Sequence, residues 1–332
     1  MRALDCVTAN KITPTESTEV FTVKMASSYN LSEASRDVES QSRTELCSGK
    51  RHVCWTLGID LPIFVIVLGL IGLFELGVIP CHKSGFYCND PALSFPYNGD
   101  TVTTAILMTV LFFWPLVVMF FTEFIFSDTE SESFRSKFIQ TVRNASWLYR
   151  AYLYGLMMNL SVMEVMKGLV GGPRPTFFYI CEPDTAKTCN GSEFVSSFEC
   201  TSEKFTWWEQ LDSYRSFPSG HTSMSVFCGL FVAWYLQKRA FNWKHRTILL
   251  VPALQLLSVT FSVVASLTRV TDRRHHWWDV LAGTGIAFLS LVYAVTFLCD
   301  NFSYATAKSE DKSENSRKPT QNLLFDEQRI IT

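Results

Sequence analysis

The sequence predicts an all-α fold, a polytopic membrane protein with six transmembrane helices in one bundle. Three observations carry that expectation. Of 332 residues, 48% are hydrophobic and 18% charged, and the mean hydropathy is +0.13, an apolar balance for a chain of this length. Six apolar runs approach the roughly 20 residues that a helix needs to cross a bilayer. Polar segments flank and separate these runs. Buried helices of a soluble protein are apolar too, but six such runs in one chain argue against that reading. The net charge of −2 supplies no basic field, so nucleic acid is not an expected partner.

Taken in order, residues 1–54 are rich in Ser, Thr and Glu, hold no apolar core for a cleavable signal, and are expected to be a disordered cytosolic segment. A membrane domain over residues 55–300 follows, with spans at Leu57 to Ile79, Val102 to Phe126, Trp147 to Val170, Pro218 to Leu236, Thr247 to Leu267 and Asp279 to Cys299. The fourth span is the weakest, because its uninterrupted apolar part is short. Residues 301–332, with the polar run Ser309-Glu310-Asp311-Lys312, are expected to form a second disordered cytosolic tail. Asp60, Glu75 and Glu123 lie near span ends and are expected simply to meet the interface. Glu164 lies inside span three, where a charge needs a partner, and Lys167 one turn on is the expected one.

Lys and Arg in short loops set the orientation. Residues 238–246 carry Lys238, Arg239, Lys244 and Arg246 without an acid and are assigned to the cytosol. Alternation then puts both termini and residues 127–146 inside, and residues 80–101, 171–217 and 268–278 on the extracellular or lumenal side. Five of the ten cysteines (Cys81, Cys88, Cys181, Cys189, Cys200) fall in those outer loops, where disulfides persist, although spacing does not determine their pairing. Asn190-Gly191-Ser192 is the sequon placed in an outer loop and is expected to carry a glycan.

Three polar stretches, all assigned to that outer side, hold the residue types that hydrolysis of a phosphate ester requires. In the first, Lys167 and Arg174 supply cations at the outer end of span three, and Pro173 and Pro175 are expected to end the helix there. A guanidinium suits bidentate contact with phosphoryl oxygens, and an ammonium acts as a point charge. In the second, Pro218-Ser219-Gly220-His221 opens span four, with Ser219 as N-cap and free backbone N–H groups as an anion cradle. Gly220 permits close approach, and His221 is the expected general acid. In the third, Arg269 completes the charge clamp, and His275 and Asp279 stand at i and i+4, where the carboxylate can orient a nucleophilic imidazole. His276 is not excluded as the nucleophile by sequence alone. A metal site built from these histidines is disfavoured, since no spacing matches a common zinc pattern and the adjacent cations repel a dication. No cofactor is therefore expected.

These residues resemble the lipid phosphate phosphatase branch of the type 2 phosphatidic acid phosphatase superfamily. Its first motif, Lys, six residues, Arg-Pro, corresponds to Lys167 through Pro175, and its second to Pro218 through His221. Its third corresponds to Arg269, His275 and Asp279, with Thr268 in place of Ser. Gly85 through Asp90 with Tyr97, and Cys181-Glu182-Pro183-Asp184, resemble its outer loops, so the likeness runs from about Leu57 to Cys299. Thr176 and Gly172-Pro173 depart from its usual residues. The resemblance implies a six-helix core with an outward-facing site in the plasma membrane or an endomembrane. It also implies metal-independent dephosphorylation of phosphatidic acid, lysophosphatidic acid, sphingosine 1-phosphate or ceramide 1-phosphate. By the same resemblance, His275 forms a phosphohistidine, His221 is the acid, and Lys167, Arg174, Ser219, Gly220 and Arg269 bind the phosphate. A non-catalytic lipid-phosphate scaffold and a sister enzyme acting on a sugar phosphate are the alternatives. A homo-oligomer is compatible with the sequence, which carries no signal for stoichiometry.

Overall fold

A computed structural model describes residues 58–59, 61–126, 133–189, 191–241 and 249–302. Asp60, Asn190, residues 1–57 and residues 303–332 lie outside them, and with these the expected glycan site and nearly all of the two polar ends. The chain separates into two units, residues 1–66 and 67–332. Of the first, the described part is chiefly the beginning of α1 (Leu61–Glu75). The second holds α2 (Thr104–Ile125), α3 (Phe134–Val170), two short helices α4 (Phe177–Cys181) and α5 (Trp207–Ser213), α6 (Gly220–Arg239), α7 (Leu250–Thr271) and α8 (Trp277–Tyr293), the last continued by a π-turn at Ala294–Leu298.

Among the described residues, four helices are long and apolar enough to cross a membrane: α2, α3, α7 and α8 with its π-turn. The sequence reading expects six spans, and the other two, at α1 and α6, fall outside these four for separate reasons. At 15 residues, α1 is apolar but short of the roughly 20 that a span needs. At 20 residues, α6 has the length but not the apolarity. Its position accounts for that: α2, α3, α7 and α8 all pack on α6, so its side chains meet protein on every side. Small and polar residues serve such a helix, because they let neighbouring backbones approach and bond across the gap. A Cβ on Gly229 would lie 2.6 Å from the Ser258 carbonyl of α7 and would collide with Ser262 Oγ. Ser262 Oγ donates to the Ser225 carbonyl at 2.6 Å, and Ser223 Oγ to Asn159 Oδ1 of α3 at 2.9 Å.

The surface of the bundle has the opposite character. Leu256, Leu257, Val263, Val264 and Leu267 of α7 and Leu281, Phe288 and Leu289 of α8 are exposed. Polar groups inside and apolar groups outside is what hydrocarbon surroundings select, since unpaired polar groups cannot face lipid.

Two expectations are corrected. The sequence reading leaves residues 127–146 as a loop, but α3 begins at Phe134 and runs for 37 residues. Its first turns carry Arg135, Lys137 and Arg143, so hydropathy alone does not reveal them as helix. Glu123 does not simply meet the interface. It is 6% exposed, and Arg239 contacts its two oxygens at 3.0 and 3.2 Å while Tyr235 donates to Oε1 at 3.1 Å.

The two long loops join into one cap. β1 (Phe86–Tyr87) pairs antiparallel with β2 (Phe194–Val195), and disulfides link Cys88 to Cys189 and Cys181 to Cys200. Cys81 is a free thiol. Phe86, Phe177 and Phe198 fill the centre of the cap, with ring centroids 5.1 to 5.5 Å apart.

Candidate active site

α3 stops where its sequence requires. Gly171 follows at φ +66°, and a Cβ there would strike the His82 carbonyl, so glycine alone fits. The next residues are sewn to the approach to α6. Ser216 N–H donates to the Gly172 carbonyl at 2.9 Å, Phe217 N–H to Gly171 at 3.1 Å, and Arg174 N–H to Ser213 at 2.8 Å. This ladder brings the first polar stretch against the second.

Lys167, in the last turn of α3, reaches Glu164 Oε1 at 2.9 Å, the pair expected from sequence. The other Glu164 oxygen accepts from Arg215 Nη2 at 2.9 Å. Glu75 bridges the same two cations at 3.4 and 3.5 Å, so it belongs to the site rather than merely to the interface. Arg174 donates from Nε to the Asp212 carbonyl at 2.7 Å, from Nη1 to the Arg274 carbonyl at 2.9 Å, and from Nη2 to Asp212 Oδ1 at 2.6 Å. Its Nη1 also lies 3.2 Å from His275 Nε2. Arg269 meets Asp100 at 3.3 Å and Asp272 at 3.2 Å and donates to the Val102 carbonyl at 2.9 Å.

Ser219 stands at the N-cap of α6, as expected, but its hydroxyl accepts from Thr222 Oγ1 at 3.0 Å and caps no helix N–H. The first N–H groups of α6 are therefore left for a ligand oxygen. A Cβ on Gly220 would lie 3.0 Å from Met163 Cε and 3.5 Å from Lys167 Nζ, so its absence makes room where the ammonium meets the helix end.

His275 precedes α8, and Asp279 lies in its first turn. The His275 Nδ1 to Asp279 Oδ2 distance is 3.6 Å, beyond a hydrogen bond. Asp279 Oδ2 accepts instead from Ser216 Oγ at 2.6 Å and from His276 N–H at 2.9 Å. His275 Nδ1 and Asp279 Oδ1 are both buried without partners. His276 stacks on Trp278 with centroids 4.5 Å apart, which favours His275 as the imidazole that faces the cavity. Burial, and then the adjacent Arg174 guanidinium, push the His275 pKa down to about 3, so the ring is neutral and its Nε2, which faces Arg174 Nη1, can serve as nucleophile once a phosphoryl group takes that guanidinium.

A cavity of about 410 Å³ gathers Lys167, Arg174, Gly220, His221, Arg269 and His275 from the three stretches. Ser219 and Asp279 are buried behind it. His221 Nε2 has no partner among the described residues. Ile71, Met108, Leu160, Met163 and Met224 add apolar lining to the same cavity. Sequence reasoning missed Asp100, Asp212, Arg215, Ser216 and Arg274, all of which bond the expected residues. Asp100, Asp212 and Arg274 also line the cavity. The signal available was their charge beside a motif, as in Arg215 three residues before Pro218 and Arg274 directly before His275. Among the described residues, no group of three or more His, Cys, Asp or Glu is placed to hold a metal ion.

The family model described as the PAP2 superfamily matches residues 148–302, which include all three stretches. Phospholipid phosphatase 1 of Mus musculus is 34% identical over 239 residues, 69% of this chain and 81% of the mouse protein. Phospholipid phosphatase 2 of Rattus norvegicus is 32% identical over 245 residues, covering 74% and 87%. Phospholipid phosphatase 2 of Homo sapiens is 31% identical over 248 residues, covering 74% and 83%. No solved structure matches the chain. With the motif residues gathered in one cavity and relatives matched over most of their length, the chain belongs to the lipid phosphate phosphatase branch of the PAP2 superfamily and is a phosphatase of that branch.

Proposed function

We propose that this protein removes the phosphate monoester of phosphatidic acid, lysophosphatidic acid, sphingosine 1-phosphate or ceramide 1-phosphate, without a metal, through a phosphohistidine on His275. The observation that carries the reading is one cavity lined both by imidazoles and cations and by apolar side chains. A head-group phosphate fits the first, and the start of an acyl chain the second.

In the first step His275 Nε2 attacks phosphorus, the N–P bond forms, the ester P–O bond breaks, and His221 gives its proton to the leaving alkoxide. The arriving dianion favours the His221 imidazolium that this requires. A turn of the Asp279 carboxylate or of the ring closes the 3.6 Å gap to Nδ1, so the charge growing on His275 is stabilised. Lys167, Arg174, Arg269, the Ser219 hydroxyl and the Gly220 N–H hold the phosphoryl oxygens. In the second step water attacks phosphorus, His221 takes its proton, and the N–P bond breaks to release inorganic phosphate and free His275.

We also propose six spans, with α1 and α6 completing the four apolar helices, and a site on the extracellular or lumenal side. Two disulfides in the cap support an oxidising compartment. Exposed Trp207 and Trp208 beside Asp212, and Trp277 and Trp278 beside His275, suit the aromatic belt of a membrane interface.

The test is phosphate release from phosphatidic acid in detergent micelles containing EDTA, for wild type and His275→Ala. Release by wild type and its loss in the variant support the reading. EDTA-sensitive release would point to a metal, lipid binding without release to a scaffold, and preferential release from a water-soluble sugar phosphate to a sister activity.

A further inference from the structure

The cavity's cations are already occupied. Lys167 holds Glu164 at 2.9 Å, Arg174 holds Asp212 at 2.6 Å, and Arg269 holds Asp100 at 3.3 Å. Arg274, which also lines the cavity, holds Asp212 at 2.9 Å and Asp100 at 3.2 Å. Arg174, Asp212, Arg274, Asp100 and Arg269 thus form an unbroken chain of alternating charge that links the first polar stretch to the third.

Asp212 has a place in this chain that the other acids do not. Its two oxygens bridge two guanidinium groups, as two oxygens of a phosphoryl group would. Those groups hold its carboxyl well below the usual carboxylate range although burial alone would raise it, so the bridge is charged at neutral pH. Its backbone, separately, accepts from Arg174 Nε at 2.7 Å, and the Arg274 carbonyl accepts from Arg174 Nη1 at 2.9 Å. Arg174 therefore stays aimed whatever the Asp212 side chain does. Four of the N–H groups of Arg174 are engaged, out of about five in any guanidinium. A phosphoryl group that binds Arg174 in bidentate fashion beside His275 competes with the Asp212 carboxylate for Nη2, which has one N–H left besides the one that the carboxylate takes.

We propose that the Asp212 carboxylate stands in for the phosphoryl group: it neutralises Arg174 and Arg274 in the empty enzyme, yields them to a phosphate monoester, and returns to displace the inorganic phosphate left by hydrolysis. Only the last part rests on the phosphatase reading; the exchange itself concerns oxyanion binding. An uncompensated cluster of cations would retain its product, whereas a cluster with its own carboxylate binds the dianion only by exchange.

The experiment uses purified full-length protein in detergent at pH 7 with inorganic phosphate as probe, reading the half-saturating concentration from the rise in melting temperature. Asp212→Asn removes the charge and is expected to bind phosphate roughly tenfold more tightly than wild type, while Asp212→Glu, which keeps it, binds as wild type does. Tighter binding by the Asn variant sustains the exchange even if wild type turns over no lipid phosphate, an outcome that would sink the phosphatase reading instead. Equal or weaker binding by the Asn variant overturns the exchange, whatever the turnover. Should that variant not fold, a structure of wild type with inorganic phosphate bound decides: the carboxylate must have left Arg174 Nη2, and contact retained near 2.6 Å refutes the proposal.

Discussion

The two ends of α6 both bury charge, and they do so differently. At the C-terminal end, Glu123 of α2 receives Arg239 on both oxygens and Tyr235 on one, and none of the three leaves a buried side-chain atom unpaired among the described residues. At the N-terminal end, the ion pairs are as close, but His221 Nε2, His275 Nδ1, Asp279 Oδ1 and the Nε atoms of Arg215, Arg269 and Arg274 are buried with no hydrogen-bond partner. An orphaned buried polar atom costs stability and is rare in a structure at rest. Six in or behind one cavity mark the place where a ligand's atoms complete the bonding. The closed cluster ties helices together; the open one is prepared for something that arrives. A buried ion pair is thus no sign of function by itself, and what distinguishes the two ends is unmet valence.

The comparison breaks most sharply if the open end tolerates change. Arg174→Lys is expected to cut kcat/KM by roughly a thousandfold, because an ammonium cannot make the directed contacts of the guanidinium. Steady-state kinetics on phosphatidic acid micelles test this, and a loss under tenfold would remove Arg174 from the centre of the site. Glu164→Gln comes next. It leaves Lys167 and Arg215 with one fewer charge between them, at a cost of about 3 kcal/mol in denaturant unfolding together with a roughly tenfold loss of turnover. Glu123→Gln is the counterpart at the closed end, expected to cost about 2 kcal/mol of stability with kcat per folded molecule unchanged. A fall in kcat without a fall in stability would show that the two ends are coupled.

How far each end was legible in the sequence follows from the same physics. Lys167, Arg174, His221, Arg269, His275 and Asp279 stand out because each is a polar residue at the margin of an apolar run and together they make a coherent chemistry. Asp212 and Asp100 do not, because a charged residue in a polar loop is ordinary. Only folding shows that Asp212 meets Arg274 across 62 residues and Asp100 meets Arg269 across 169. Glu123 could be read as interfacial because its partner Arg239 lies 116 residues away. The outer helices were legible to within a few residues at most ends, since lipid contact writes a continuous apolar run. α6 was faint for the reason that makes it central: wrapped by protein, it needs no such run. The long polar start of α3 was missed because hydropathy detects burial in lipid, not helicity.

The smallest effect tests the open end without chemistry. The His275 pKa is about 3 in the folded protein against an ordinary value near 6.5, so between these values the unfolded chain binds a proton that the folded one refuses. Stability therefore rises with pH through that window: the contribution is complete above about pH 6.5 and is lost progressively as pH falls toward 3. Between pH 6 and 5 the loss assignable to this ring is about 1 kcal/mol. His275→Gln removes the titration, so its denaturation midpoint should fall less than that of wild type over the same unit of pH. Parallel curves would mean that the imidazole gains a proton in the folded state as readily as in the unfolded one, and the neutral nucleophile would then have to be explained by the substrate rather than by the cavity. Saturating inorganic phosphate sharpens the test, because a bound dianion stabilises the imidazolium and should reduce the difference between wild type and variant. No such reduction is expected from a change at Glu123, whose cluster offers phosphate nothing to complete.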